Sequence, residues 1–249
     1  MTLQNVVVFP VVLIRHSQPA RDFVAVPRVP VYRLAADERA SLMSSTLVGS
    51  PLVITSIGRG GPKSDHPLIQ LCALAVDDRT LQRLDSIDLK VWFAPTYAES
   101  KSLNEAGWDA HVWTKQAIDA ETAAKRFAEF LRKHSLPVIK PLRRKVARLA
   151  AYDAPAMRQY LWQFFRDAGS VALPVDEHII LDIQQRVMWH LLDRGVEVGG
   201  VLGLQSACTK LDVHLKTDEH DGADDAMRCV RLTAGLLWKL RRLEKSAVA

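Results

Sequence analysis

The segment Glu219–Cys229, EHDGADDAMRC, places His220 five residues ahead of Asp225. An imidazole exchanges a proton near neutral pH. A carboxylate supplies the anionic oxygen that small hard cations require. The same segment also has the composition of a helix start, where Asp218 or Asp221 can cap the first turn and neighbouring acids such as Asp224 favour the helix dipole. A second group of chemically capable residues lies in IKPLRRKVAR. There Lys140, Arg143, Arg144, Lys145 and Arg148 crowd into one stretch that is either a solvated face or a patch that tracks phosphates.

Whether these residues act together depends on the elements that carry them. Before Pro51 the chain is rich in proline and β-branched residues (AVPRVPVYRL) with little helical period, so residues 1–48 read as an extended arm with a short helix near AADERASLM. From Pro51 the pattern becomes regular. PLVITSI, LIQLCALAVD and LQRLDSIDLKVWF read as three strands joined by turns, an antiparallel meander. Helix and strand then alternate. DAETAAKRFAEFLRKH has Asp119 as N-cap and Ala123, Phe127, Phe130 and Leu131 as its apolar stripe. KVARLAAY is a strand, and APAMRQYLWQFFRDAG is a helix with Pro155 in its first turn and Gly169 as its stop. HIILDI is a strand, followed by the helices QQRVMWHLLDRG and VLGLQSACTKLDV. A long helix over residues 222–244 carries Val230, Ala234, Leu237 and Leu240 as one stripe. Strands joined by helical crossovers pair in parallel, so the later strands should do so.

At 249 residues, 48% hydrophobic and 24% charged, the composition is that of a globular chain with one sizeable domain and an extension. The longest apolar run, VVVFPVVLI, is too short to span a bilayer, and the start lacks the pattern of a secretory leader, so a cytoplasmic protein without membrane contact is expected. Cys72, Cys208 and Cys229 form no Cys-x-x-Cys pair and read as buried thiols rather than a disulfide or zinc set. The formal charge of +5 permits a polyanionic partner without requiring one. VVLIRHSQPA superficially resembles the Arg-His-Gly signature of histidine phosphatases, but Ser17 replaces the glycine and the expected strand–helix alternation does not follow.

The element order together with HDGADDA resembles the DnaQ-like (DEDDh) exonucleases of the ribonuclease H-like superfamily, over roughly residues 50–245. VITSIGRGGPKSDHPLIQLCALAVD is similar to that family's first motif, LAAYDAPAMRQYLWQFFRDAG to its second, and HDGADDA to its last. IILDI and LGLQSACTKLDV fall where the family has a strand ending in aspartate and the helix before the last motif. The resemblance implies a mixed five-stranded sheet flanked by helices, preceded by the N-terminal arm. Residues 49–249 would form the exonuclease-like domain, and 1–48 a docking element.

In that family two divalent cations sit on four carboxylates and activate water for attack on a terminal phosphodiester, with a histidine as base. Carried over residue by residue, the histidine is His220 and the last carboxylate is Asp225. The other three carboxylates fall at Thr55, Ile57 and Met157. Sliding the first motif by one residue gives Ser56 and Gly58, which restores no acid. The resemblance therefore implies a pseudo-exonuclease with no catalytic residues or cofactor, in which His220 and Asp225 are vestigial. Such a protein would act by binding DNA or RNA through the Lys140–Arg148 cluster, or as a subunit whose arm docks a protein partner. The alternative is an active 3′–5′ exonuclease whose magnesium or manganese is held by Asp153, Asp182 and Asp225. Trp92, Trp108 and Trp113 fall near the segment that approaches the nucleotide in relatives, and read as core packing, partner docking or base stacking.

Overall fold

Runs of β-branched and aliphatic residues build a five-stranded sheet. The computed structural model describes residues 50–63, 65–135, 146–169, 171–215 and 225–248, all within the unit Ser44–Ala249. The arm at 1–48, including the RHSQ stretch, lies outside the described residues. Strands β1 (Pro51–Arg59), β2 (Leu68–Asp77) and β3 (Arg83–Lys90) form the antiparallel meander. β4 (Ala147–Ala151) and β5 (Val175–Asp182) add in parallel on the other side of β1. The order is β3-β2-β1-β4-β5, so β1 is central, with β4 parallel beside it and β5 at the edge. This is the mixed five-stranded α/β sheet expected from the sequence.

The connections are helical. α1 (Ser100–Glu105), α2 (Ala110–Gln116) and α3 (Ala120–Lys133) lie between β3 and β4. α4 (Ala154–Asp167) links β4 to β5. α5 (Ile183–Leu192), α6 (Leu204–Lys210) and α7 (Asp225–Val248) follow β5. Aspartates cap three of the longer helices, Asp119 as the sequence suggests and Asp153 and Asp182 in addition: Asp119 accepts from Thr122 N at 2.8 Å, Asp153 from Ala156 N at 3.1 Å, and Asp182 from Gln185 N at 3.0 Å. Each satisfies one of the backbone donors that a helix start leaves without a partner.

Because strand side chains alternate, the sheet separates two cores. On one face Leu52, Ile54, Cys72 and Val76 pack with Val187, Leu191, Cys208, Val230, Leu237 and Leu240 from α5, α6 and α7. On the other, Val53, Leu71, Ala73, Ala75 and Leu149 pack with Phe127 and Leu131 of α3 and Leu161, Phe164 and Phe165 of α4. β2 is buried along nearly its whole length, which accounts for its continuous apolar run. A third, smaller core joins Ile69, Phe93, Leu103, Ala106 and Trp113. It rests on α1 and α2, two short helices the sequence reading did not anticipate.

α7 runs antiparallel to β1. Near its C-terminal end Arg241 bonds Asp78, which lies beside the start of β1 and also receives Arg148. The opening residue of α7, Asp225, therefore lies toward the end at which β1, β4 and β5 terminate. That end is where open α/β sheets present their functional residues.

Candidate functional site

Strand register fixes which residues meet at this end. Ile54 lies opposite Ala150, and Ala150 opposite Leu181. The next row is therefore Thr55, Ala151 and Asp182. Two strand spacings separate its outer members, roughly 10 Å between their Cα atoms. The row faces the α3/α4 side, since Val53 and Ile57 on β1 and Ile180 on β5 share that core. Met157 belongs to the stripe of α4 that includes Leu161, Phe164 and Phe165. The three positions matched to the family's carboxylates thus share one face of the sheet.

What they present there is not ligand chemistry. Thr55 is 1% exposed, and its hydroxyl donates to the carbonyl of Cys72 on β2 at 3.0 Å. Ile57 packs against the α3/α4 core. Met157 is buried, so its thioether faces protein. Two divalent cations need anionic oxygens to displace their hydration water. A spent hydroxyl, a branched alkyl and a buried thioether do not fit them. Among the described residues no group of three His, Cys, Asp or Glu side chains is placed to hold a metal ion.

The alternative ligands Asp153 and Asp182 do approach one another. Burial raises the Asp182 carboxyl above the ordinary carboxylate range, and the charge of Asp153 adds to the effect. The N–H groups of Gln185, Gln184 and Ala154 pull the other way. Beside them the Tyr152 phenol is pushed up, first by burial and then by Cys208, Asp182 and Asp153. It donates to Leu202 O at 2.6 Å, and the same carbonyl accepts from Gln184 Nε2 at 2.8 Å. Both carboxylates are in use as helix caps, so turning either toward a cation would forfeit a cap contribution of about 1 kcal/mol. A cavity of about 750 Å³ opens beside Asp182, lined by Pro155, Arg158 and Trp162 of α4 and by Ile180.

Of the family's last motif, His220 lies outside the described residues, as do Asp221 and Asp224. Asp225 is the first residue of α7, and nothing is described of its side chain. Lys140, Arg143, Arg144 and Lys145 also lie outside the described residues. Arg148 is described, and it is not a free phosphate contact. Its guanidinium bonds Asp78 at 2.9 Å and the Ser50 carbonyl at 3.2 Å, at the far end of the sheet from the row containing Thr55. A partner 70 residues away in sequence is invisible to a charge count.

The tryptophans separate by burial. Trp113 is core and donates its indole N–H to Ile69 O at 3.3 Å. Trp108 stacks edge-on to Phe93 with centroids 6.1 Å apart. Trp92 alone of the three is open, at 66% exposure. Of the cysteines, Cys72 and Cys208 are buried as expected and Cys229 is half-buried. Burial raises the Cys208 thiol to about 11, so it is inert near neutral pH.

One pair was missed in the sequence. Arg59, two residues beyond Ile57, lies over the ring of Tyr160 on α4, 3.6 Å from its centroid. Its Nη1 donates to Pro62 O at 3.2 Å and its Nη2 to Lys63 O, which pins the turn after β1. Burial lowers the guanidinium's affinity for its proton, without bringing it near neutrality. Strand parity with Thr55 and Ile57 was the available signal.

No family model and no curated protein matches the sequence. Solved structures do. Exonuclease I superposes with a TM-score of 0.57 at 14% identity over 78% of this chain and 41% of that one. E. coli exonuclease I in complex with a dT13 oligonucleotide gives 0.57 at 14% over 80% of this chain and 42% of that one. A 3′-exonuclease that recognises the 3′ end of a histone mRNA stem-loop gives 0.59 at 13% over 84% and 70%. The chain thus spans less than half the length of the exonuclease I structures. The chain has the fold of these 3′-exonucleases, the ribonuclease H-like arrangement of a mixed five-stranded sheet flanked by helices.

Proposed function

We propose that this protein is a pseudo-exonuclease: it keeps the nuclease scaffold without two-metal chemistry and acts as a nucleic-acid-binding or scaffold subunit. The observation that carries the reading is the state of Thr55. In the family's first ligand position stands a buried hydroxyl engaged with a backbone carbonyl, on the same face as Ile57 and Met157. Filling those positions with uncharged side chains leaves the matched set about three negative charges short, and no rotamer supplies them. On this reading His220 has no metal-bound water to deprotonate, and the HDGADDA segment survives as an acid-rich helix start.

Retention of nucleic-acid binding is supported by the solved relatives, which include a dT13 complex and a stem-loop-recognising enzyme, and by the net charge of +5. Lys140, Arg143, Arg144 and Lys145 are the proposed phosphate contacts, with Arg148 withdrawn from them by Asp78. The arm at 1–48 is the proposed docking element for a protein partner.

A second reading rests on the placement of Asp153 and Asp182, which cap α4 and α5 at the ends of the paired strands β4 and β5, where the charge of Asp153 helps raise the Asp182 carboxyl. With Asp225 they would be the relocated ligands of an active, magnesium- or manganese-dependent 3′–5′ exonuclease. Incubation with end-labelled single-stranded DNA and RNA and either metal separates the two. The proposal expects no shortening, together with a mobility shift at low salt that weakens as salt rises. Shortening that disappears in His220→Ala would establish the second reading.

A further inference from the structure

Beside the turn after β1 lies a second, smaller cavity, whose lining includes none of Thr55, Ile57, Met157, Asp153 and Asp182. It measures about 230 Å³ and is lined by Arg59, Asp65, His66, Trp92, Tyr160 and Asp167, among others. Its walls are planar and held in place. The Arg59–Tyr160 stack forms one side. Trp92 stands open at another, with its backbone N–H fixed to Ile118 O at 2.8 Å. The turn itself is locked. Gly60 N donates to Pro67 O at 2.9 Å, and Glu99 N donates to Gly60 O at 2.6 Å. A side chain at Gly60 would stand 2.7 Å from the Cβ of Ala98.

We propose that this cavity takes one unpaired nucleobase of a single strand, with Trp92 as its stacking platform. The inference rests on the nucleic-acid-binding part of the proposed function. The volume is below the range for drug-sized ligands and suits a single ring system. An open indole beside a rigid guanidinium–phenol stack offers the sequence-tolerant π surface that single-strand binders use. Phosphate does not belong here. Two donors of Arg59 already serve the carbonyls of Pro62 and Lys63, and the carboxylates of Asp65 and Asp167 line the same space. Those carboxylates accept hydrogen bonds, so they suit the amino edge of cytosine, adenine or guanine better than the acceptor-rich edge of thymine.

The test is anisotropy of fluorescein-labelled dC12 and dT12 with the full-length protein across a salt series. The wild type should bind dC12 more tightly than dT12. Trp92→Ala should weaken dC12 about 5- to 150-fold at every salt concentration without changing the salt slope, as loss of one stacked base requires. Trp92→Phe should recover most of the affinity. Trp189→Ala, which removes an equally open tryptophan on α5, should leave binding within about twofold. Trp92 is exposed, so its loss should not unfold the protein, and a thermal melt checks this. Oligonucleotide binding that Trp92→Ala leaves intact would overturn the pocket while the nucleic-acid reading stands, and so would a preference for dT12. Absence of binding by the wild type at low salt would overturn both.

Discussion

Thr55→Asp puts back the acid that an active nuclease would carry, and the structure indicates what it costs. The position is 1% exposed, and the present hydroxyl donates a proton to Cys72 O at 3.0 Å. An ionised carboxylate there has no proton to donate and faces another acceptor in a buried site. Removing the hydrogen bond alone, as in Thr55→Val, should cost about 1 kcal/mol. Burying an unpaired acid should cost about 2–4 kcal/mol near pH 7, with part of the penalty relieved by protonation. For a domain of this size each kcal/mol is worth about 2–4 °C in Tm, so Thr55→Asp should melt roughly 5–15 °C below the wild type. The deficit must depend on pH. The buried carboxyl has a pKa raised above its unfolded value of about 3.9, so the native state binds the extra proton. The penalty is therefore small below that value and grows as pH rises. Differential scanning fluorimetry near pH 4 and near pH 7 reads this directly, with Thr55→Val as a pH-independent control. Manganese should restore little of the lost Tm, because Ile57 and Met157 supply no further charge. A Thr55→Asp protein that melts with the wild type near pH 7, or whose deficit manganese abolishes, would show that position 55 is a ligand site after all.

Asp78→Ala should destabilise by about 2–4 kcal/mol in urea unfolding. It leaves the guanidinium groups of Arg148 and Arg241 half-buried without their shared carboxylate, and Asp78→Asn should recover part of the loss. Asp85 is held at about 2, first by the hydrogen bond from Lys133 and then by that from His134, which ties the end of α3 to β3. Its pKa is depressed, so its contribution is present above 3.8 and lost as pH falls toward 2. The side chain is about a third exposed, so screening limits this to about 1 kcal/mol, which an Asp85→Asn variant should lack near pH 5 and match near pH 2.

Much of this architecture is legible in the residues themselves. The continuous apolar runs on β1 and β2, the alternation on β3, and the stripes on α3 and α7 identify the elements, because burial pattern is what stabilises them. Asp119, Pro155 and Gly169 mark helix ends through local chemistry. α1 and α2 escaped because they span six and seven residues with one buried side chain each, Leu103 and Trp113, too few to show a period. Asp109, which caps α2 through Val112 N, was the one local sign of them. At the candidate site, motif order located Thr55, Ile57 and Met157, but not what they do. Thr55 is engaged with Cys72, 17 residues away, and Arg148 with Asp78, and such pairings exist only once strands are in register. Trp92 and Trp113 look alike as letters. Trp92 is open at the surface, whereas Trp113 projects from α2 into the core with Ile69, Phe93, Leu103 and Ala106.

The central claim is that the scaffold has lost its cation pocket, and manganese reads it most directly. Titrating Mn²⁺ into the full-length protein while following the EPR signal of the free aqueous ion should leave that signal at its protein-free amplitude near stoichiometric concentrations. Loss of signal equivalent to about two ions per chain, reversed by Asp225→Asn, would contradict the account.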